Sequence, residues 1–128
     1  MKKILIVTSK YYTNVEKGLI KSALNILKRK YKLKILSVPG VFEIPAMISK
    51  NINNYDGFVA LGCVIKGKTP HFEFISSAAT QGIMNLSISS KKPIGNGILT
   101  CLNKKQAIER IKKGAEAGSA VDFILSKK

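Results

Sequence analysis

Residues 61–75 read Leu61-Gly-Cys-Val-Ile-Lys-Gly-Lys-Thr-Pro-His-Phe-Glu-Phe-Ile75, and this stretch decides the fold. Its first five residues form an apolar run typical of a buried strand, and a short loop of Gly, Lys and Thr follows. A helix is expected after the loop, because Thr69 is a good N-cap and Pro70 suits the first helical position. Free N–H groups at a helix N-terminus favour an anion. The stretch therefore predicts a strand, a small anion site, and a helix that carries His71 in its first turn.

The rest of the chain repeats this alternation of strand and helix. Apolar runs at 4–7, 32–38, 57–65 and 93–99 predict four strands. Helical spacing of apolar residues covers 15–31, 43–53, 71–90 and 104–125, with a possible break near Gly114. This order predicts an α/β fold, namely a flavodoxin-like three-layer α/β/α sandwich with a four-stranded parallel sheet. The length suits a single domain, residues 1–128.

The charge is strongly positive, with a net value of +15 from 22 basic and seven acidic residues. Only Arg29 and Arg110 are arginines, and the lysines are spread along the whole chain. Nucleic-acid surfaces tend to use arginine forks and interleaved aromatic residues on one face. The lysines therefore predict a solvated coat and no nucleic-acid partner, although an RNA-binding module driven by charge is an alternative.

Neither a membrane protein nor a secreted disulfide scaffold is indicated. No apolar run approaches the roughly 20 residues that span a bilayer, and the run at 4–7 is too short for a signal peptide. The two cysteines, Cys63 and Cys101, form no C-x-x-C pattern, and the chain has one histidine. A metal site is therefore unexpected, and a cytoplasmic location is predicted.

Residues 62–69 match the phosphate-loop pattern G-x-x-x-x-G-K-[ST] letter for letter, but the physical context contradicts a nucleotide triphosphatase. Cys63, Val64 and Ile65 continue a buried strand, so their N–H groups belong to the sheet. No carboxylate stands at the end of an apolar strand to bind Mg²⁺. A smaller cradle for one phosphate is left at 67–69, and a capped helix without any ligand is the alternative.

Three loops are expected at the carboxyl edge of the sheet, where such folds bind ligands: residues 10–14, 39–43 and 66–71. Tyr11 could stack on a flat heterocycle, or Tyr11 and Tyr12 could form a hydrophobic staple for the first helix. Residues 40–43 open the second helix with free N–H groups, or Phe42 could plug the core. A thiol such as Cys63, inside an apolar strand, is expected to be buried and inert.

Two further side chains suit chemistry with a phosphate ester. His71, beside the anion site, can take a proton and return it, and no Ser or Cys nucleophile is placed with it. Arg110 offers a bidentate fork for phosphate, and an intrahelical pair with Gln106 or Glu109 is its alternative.

Four segments, taken together with their order and spacing, are characteristic of a known family: Val38-Pro-Gly-Val-Phe-Glu-Ile-Pro45, residues 61–75, Pro93-Ile-Gly-Asn-Gly-Ile-Leu-Thr100 and Gln106-Ala-Ile-Glu-Arg110. In this order and spacing the chain resembles the 6,7-dimethyl-8-ribityllumazine synthase family over nearly its whole length. The resemblance implies a transferase of riboflavin biosynthesis that uses no metal or organic cofactor. In the implied reaction, 5-amino-6-(D-ribitylamino)uracil condenses with 3,4-dihydroxy-2-butanone 4-phosphate. A Schiff base forms, phosphate leaves, and the second ring closes.

The resemblance also implies residue roles, position by position. His71 matches the proton-transfer histidine, and Arg110 matches the arginine that clamps the substrate phosphate. Tyr11 matches the aromatic that stacks on the pyrimidine. The other matched substrate-binding positions are the phosphate loop at Lys68 and Thr69, the segment for the ribityl chain and ring at Val41, Phe42 and Glu43, and the backbones of Cys63, Val64 and Ile65.

The family's site lies at a subunit interface, so the resemblance implies a homopentamer as the smallest assembly. Asn96 matches a position that a neighbouring subunit contributes, where many members have an aromatic. Lys66 replaces a common arginine, and Lys113 matches a family lysine after a short segment. The chain begins directly at its first strand, without the extension that lines contacts in sixty-subunit capsids. A pentamer or pentamer-based decamer is therefore expected, and a different flavodoxin-fold protein that binds a phosphorylated small molecule is the rival enzyme hypothesis.

Overall fold

Four parallel strands form one sheet in the order β2-β1-β3-β4. The fold is known from a computed structural model, which describes residues 1–67 and 71–127. The strands are β1 (Lys3–Ser9), β2 (Lys32–Val38), β3 (Gly57–Ile65) and β4 (Ile94–Cys101). All three pairings are parallel, which confirms the predicted four-stranded sheet of a flavodoxin-like α/β fold.

Five helices connect and flank the strands within the described part of the chain. They are α1 (Thr13–Leu27), α2 (Ile44–Lys50), α3 (His71–Ser90), α4 (Lys104–Glu109) and α5 (Lys113–Leu125). A 3-10 turn at Val41–Glu43 precedes α2, so the second predicted helix is shorter than expected. The predicted break in the last helix lies at 110–112, just before Gly114. There the Ser22 hydroxyl donates to the Ile111 carbonyl at 2.8 Å and ties the break to α1.

Two apolar cores lie on opposite faces of the sheet, which confirms the three-layer arrangement. One core joins α1 and α5 to side chains such as Ile4, Ile6 and Val59. The other joins α2 and α3 to Leu5, Val7 and Phe58. Successive residues of a strand point to opposite faces, so β1 and β3 contribute to both cores, and the middle of each strand is apolar on both faces.

The strand β2 differs from the expectation that all strands are apolar and buried. It is an edge strand in which Lys32 and Lys34 are exposed, and Ile35 is 42% exposed. An edge strand has one free row of backbone groups, and lysines there discourage pairing with other chains. The sequence pattern of β2 therefore reflects its position at the edge of the sheet.

The carboxyl ends of the strands are staggered, and this stagger creates the space for a site. The pairing of β1 with β3 ends at Thr8 and Leu61. Strand β3 continues to Ile65, where it is paired only with β4 up to Cys101. Residues 62–65 therefore expose one backbone edge beyond the end of β1. Among the described helices, none has the length and apolar character that crossing a membrane requires.

Candidate active site

A cavity of about 700 Å³ opens at the carboxyl edge of the sheet. Its wall combines the end of β1, the 3-10 turn after β2, the end of β3 and the first turns of α3. Of the three loops that the sequence predicts at this edge, residues 10–14 and 39–43 both contribute to the wall, and His71 is the contribution of the third among the described residues. The lining residues are Ser9, Lys10, Tyr11, Pro39, Gly40, Val41, Phe42, Glu43, Cys63, Val64, Ile65, His71 and Ile75.

His71 is the first residue of α3 and its exposed side chain faces this cavity. The placement follows from local sequence, because a strand that ends at Ile65 and a helix that starts six residues later hold the imidazole beside the sheet edge. Lys68 and Thr69, the predicted phosphate cradle, lie outside the described residues. The structure therefore brings His71 to the cavity and leaves their roles as predictions.

Tyr11 lies in the wall between β1 and α1 and is 36% exposed. Its ring meets Tyr12 edge-on, with centroids 4.6 Å apart, and the Lys104 ammonium lies 4.6 Å from the Tyr12 ring centre. A hydrophobic staple is not formed: the residue that would pack on Tyr11 is Glu16, whose carboxylate accepts the Tyr11 N–H at 3.3 Å. Burial, followed by the nearby Cys63 thiol, raises the pKa of Tyr11 to about 12. A neutral, partly exposed ring is suited to stacking.

The 3-10 turn presents Phe42 and Glu43 to the cavity while Val41 anchors it. Val41 is 5% exposed and packs in the core shared with α2 and α3. Phe42 is 60% exposed, so the alternative in which Phe42 plugs the core is wrong. Position 41 faces inward in this short turn, and the next side chain must therefore point out toward the open space.

The end of β3 contributes a backbone edge and an inert thiol. Cys63 is 3% exposed, and burial together with the neighbouring Cys101 thiol raises its pKa to about 12. The thiolate is the nucleophilic form of cysteine, so the buried Cys63 thiol is unreactive here, as predicted. Val64 and Ile65 are half-buried, and their free edge faces the cavity because β1 has already ended.

Arg110 and Asn96 do not line this cavity. Arg110 ends α4 and lines a separate hollow with Ile98–Thr100, Glu109 and Lys113. No carboxylate among residues 1–67 and 71–127 lies within 4.0 Å of its guanidinium, and the Gln106 side chain instead accepts the Leu102 N–H at 2.8 Å. The intrahelical pair considered for Arg110 is therefore absent.

Asn96 is exposed on β4, the other edge strand of the sheet. Its side-chain oxygen accepts the Ile98 N–H at 3.0 Å. The residue borders an apolar groove between α3 and α5, whose lining includes Met84, Val121 and Ile124. Within one chain, the predicted site residues thus divide between one cavity and two other surfaces.

The family model of 6,7-dimethyl-8-ribityllumazine synthase matches residues 1–127 of the chain. The chain belongs to this family. The match covers the residues of the cavity, of the β4 edge and of the Arg110 hollow.

Curated relatives of the lumazine synthase family are similar over almost the whole chain. The 6,7-dimethyl-8-ribityllumazine synthase of Bartonella tribocorum is 40% identical over 135 residues, which cover 98% of this chain and 89% of the relative. The enzyme of the same name from Afipia carboxidovorans is 40% identical, with 92% and 80% covered. That from Nitratidesulfovibrio vulgaris, strain DP4, is 40% identical, with 93% and 83% covered.

Two cavity residues of this lumazine synthase-family chain lie outside both the predicted site residues and the three predicted loops: Ser9 and Ile75. Ile75 carries no signal beyond helical spacing. Ser9 carried one, because a serine directly after four apolar residues and a threonine marks the end of a buried strand at the ligand-binding edge. No group of three or more potential metal ligands occurs among the described residues.

Proposed function

We propose that this chain is a lumazine synthase that converts 5-amino-6-(D-ribitylamino)uracil and 3,4-dihydroxy-2-butanone 4-phosphate to 6,7-dimethyl-8-ribityllumazine, phosphate and water. The observation that carries the proposal is the family match over residues 1–127. The names of the curated relatives agree with it. The protein would then act in riboflavin biosynthesis. Two free, buried thiols fit a reducing compartment, and we propose the cytoplasm.

The cavity supports the proposal because it can hold a flat ring with a polar tail. The ring would lie along the free backbone edge at 63–65, with the Tyr11 ring as its stacking partner. The ribityl chain would extend toward the 3-10 turn, where Glu43 can accept hydrogen bonds from its hydroxyls. This pose would leave the reacting amine of the ring on the side of the cavity where α3 begins.

His71 would then act on the reacting groups. The amine attacks the ketone of the phosphate ester, and water leaves as the Schiff base forms. Loss of phosphate requires removal of a proton from carbon, and ring closure releases a second water. An imidazole at the start of α3 can move these protons. Much of the acceleration would come from holding the two substrates together, because an oriented pair avoids the entropy cost of a bimolecular encounter.

A second copy of the chain would complete the phosphate site. The hollow that Arg110 lines shares no residue with the cavity. In the proposed function, the Arg110 that clamps a phosphate near His71 would therefore come from another subunit. The surface beside Asn96 supports such an assembly, because Met84 and Ile124 are more than half exposed along its groove. An exposed apolar strip beside an unpaired edge strand is typical of an interaction surface. We propose a homo-oligomer built on a pentamer.

The test is to mix the protein with both substrates and follow the absorbance and fluorescence of the lumazine product. The uncatalysed condensation runs in parallel, since the reactants can combine slowly without protein. Product formation that is no faster than this control would contradict the proposal. Binding of a phosphorylated compound without condensation would instead favour the rival flavodoxin-fold hypothesis.

A further inference from the structure

The hydroxyl of Ser9 has no hydrogen-bond partner among residues 1–67 and 71–127. Ser9 ends β1 and is 2% exposed, and its oxygen has less than 1 Å² of accessible surface. Buried polar side chains are nearly always hydrogen-bonded, and each exception requires a physical reason. Within the described part of the chain, this is the one buried side-chain oxygen or nitrogen without a partner.

The surroundings of the hydroxyl explain why the described part of the chain gives it no partner. A Cβ placed on Gly62 would lie 2.6 Å from Ser9 Oγ and 2.8 Å from Val41 Cγ2. The hydroxyl thus fills the space that glycine leaves open, between the backbone of β3 and the 3-10 turn. The other side chains nearest to that Cβ position, Val41 and Ile44, are buried and apolar and offer no acceptor.

Ser9 nevertheless lines the cavity that holds Tyr11, Glu43 and His71. It lies where the free edge of β3 begins, on the side of the 3-10 turn. A serine side chain has three staggered positions about its Cα–Cβ bond, so the oxygen is not confined to the space beside Gly62. Rotation into the cavity would bring the hydroxyl to whatever polar group a ligand places there.

We propose that Ser9 is a substrate-binding residue, whose hydroxyl turns into the cavity and exchanges a hydrogen bond with a hydroxyl of the ribityl chain. This inference rests on the proposed function. A serine hydroxyl both donates and accepts, and so does a sugar alcohol, whichever way the two are oriented. The reacting amine is needed near His71, so the tail is the part of the substrate that extends past Ser9 and the 3-10 turn.

The test compares Ser9→Ala with the wild type on two pyrimidines: the ribitylamino substrate and an analogue whose side chain is an alkyl group without hydroxyls. For the natural substrate we expect KM to rise about three- to tenfold, as for loss of one neutral hydrogen bond. For the analogue we expect no difference between the two proteins. The KM of the phosphate ester is expected to stay unchanged in both. Ser37→Ala is the matched control, because Ser37 is an exposed serine on the neighbouring strand β2 and does not line the cavity.

Thermal unfolding separates this role from a structural one. Because Ser9 Oγ has no hydrogen-bond partner in the part of the chain that the structure describes, Ser9→Ala should leave the unfolding temperature unchanged or raise it. A lower unfolding temperature would show that the hydroxyl has a structural partner and would overturn the proposal. An equal change in KM for both pyrimidines, or no change for either, would overturn it as well.

Binding of the pyrimidine alone separates failure of the Ser9 proposal from failure of the proposed function. If the wild type formed no lumazine, the proposed function would fail. The dissociation constant for the ribitylamino pyrimidine, measured by calorimetry without the phosphate ester, would still decide the role of Ser9. A value three- to tenfold larger for Ser9→Ala would support it, and equal values would overturn it.

Discussion

Tyr11 and Cys63 stay neutral in the cavity that His71 faces, because the pKa of each is raised to about 12. A neutral thiol is a poor nucleophile, and a neutral phenol contributes a ring and one hydrogen bond. In the proposed reaction, the new covalent bonds would therefore form between the two substrates, while the protein would position them and move protons. This division of labour fits a reaction in which proximity supplies much of the rate.

Replacing Arg110 by alanine should change the kinetic constants differently from replacing His71 by alanine. For Arg110→Ala we expect kcat/KM for the phosphate ester to fall about 10- to 100-fold, because a charged hydrogen-bonding partner of the phosphate is lost. For His71→Ala we expect a smaller loss in kcat/KM, and we expect it to come from a lower kcat. The variant should still hold the two substrates close together, which supplies much of the rate. Steady-state kinetics with the phosphate ester as the varied substrate makes the comparison.

Arg29→Ala controls for the loss of one positive charge, because Arg29 is the other arginine and lies after the end of α1, among residues that do not line the cavity. It should behave as the wild type. Equal losses for Arg110→Ala and His71→Ala, or a larger loss for His71→Ala, would contradict the assignment of Arg110 to the phosphate.

The contact between α1 and α5 requires glycine at position 114 but not at position 118. A Cβ at Gly114 would lie well inside 3.0 Å of the Leu19 carbonyl oxygen and of Ser22 Oγ. At Gly118 the nearest atoms would be 3.4 Å away, which is an ordinary contact. Because the Leu19 carbonyl is backbone and cannot move aside, Gly114→Ala should lower the free energy of unfolding by about 1–3 kcal/mol.

Gly118→Ala is the matched comparison for this contact. It should be neutral or stabilise by up to about 1 kcal/mol, because alanine has the higher helix propensity. Chemical denaturation of both variants measures the difference. Equal effects at the two positions would mean that α1 and α5 are not in the close contact described here.

The turn between α1 and β2 is fastened to α5 through Asp122. The Tyr31 hydroxyl donates to this carboxylate at 2.6 Å and the Lys30 ammonium lies 3.0 Å away. The Tyr31 hydrogen bond, followed by that of Lys30, lowers the pKa of Asp122 below its ordinary value. A carboxylate with a lowered pKa stabilises the fold above its unfolded-state pKa, and this stability is lost as pH falls through the folded-state pKa.

Tyr31→Phe should therefore lower the free energy of unfolding by about 1 kcal/mol at pH 7, the scale of one partly exposed hydrogen bond. The difference from the wild type should shrink when Asp122 is protonated. Denaturant titrations at pH 7 and well below the pKa of Asp122 test this. Tyr55→Phe serves as the control, since the Tyr55 ring packs edge-on against Phe58 at 6.0 Å and its hydroxyl makes no hydrogen bond within residues 1–67 and 71–127. If Tyr31→Phe lowered the free energy of unfolding by the same amount at both pH values, the role of Asp122 would be contradicted.

On the scale of the whole molecule, the proposed function needs more than one chain. His71 and Arg110 line different hollows, so the proposed phosphate site would combine residues of two subunits. Light scattering that gave the mass of one subunit for the active protein would contradict the shared site.

Mixed assemblies should be more active than either parent variant. A His71→Ala/Tyr11→Ala double variant lacks two cavity side chains, and Arg110→Ala lacks the side chain that we propose reaches the neighbour's cavity. After unfolding and refolding an equal mixture, roughly a quarter of the interfaces in a head-to-tail ring would combine an intact cavity with an intact Arg110. Lumazine formation in the mixture should therefore exceed that of either variant alone. No gain in the mixture would mean that both residues serve the site from the same subunit.

Much of the fold followed from local pattern. The bounds of β2, β3 and α3 match the predicted ranges. Residues close together in the chain are enough to indicate a buried strand, a capped helix start or a periodic apolar face. The edge character of β2 and the 3-10 turn at Val41–Glu43 were missed, because both depend on what packs against them. The orientation of Phe42 was open for the same reason.

The sequence alone determined the order of strands and helices, the family resemblance, and the presence of Tyr11, residues 41–43, residues 63–65 and His71 at one edge of the sheet. These follow from chain order, since the carboxyl ends of parallel strands must meet at the same edge. Tertiary structure alone decided that β1 ends before β3 and frees the backbone edge of β3, that the buried Ser9 hydroxyl has no partner among the described residues, and that Arg110 faces another surface. Each of these is a relation between residues distant in the chain, and packing rather than local pattern sets it.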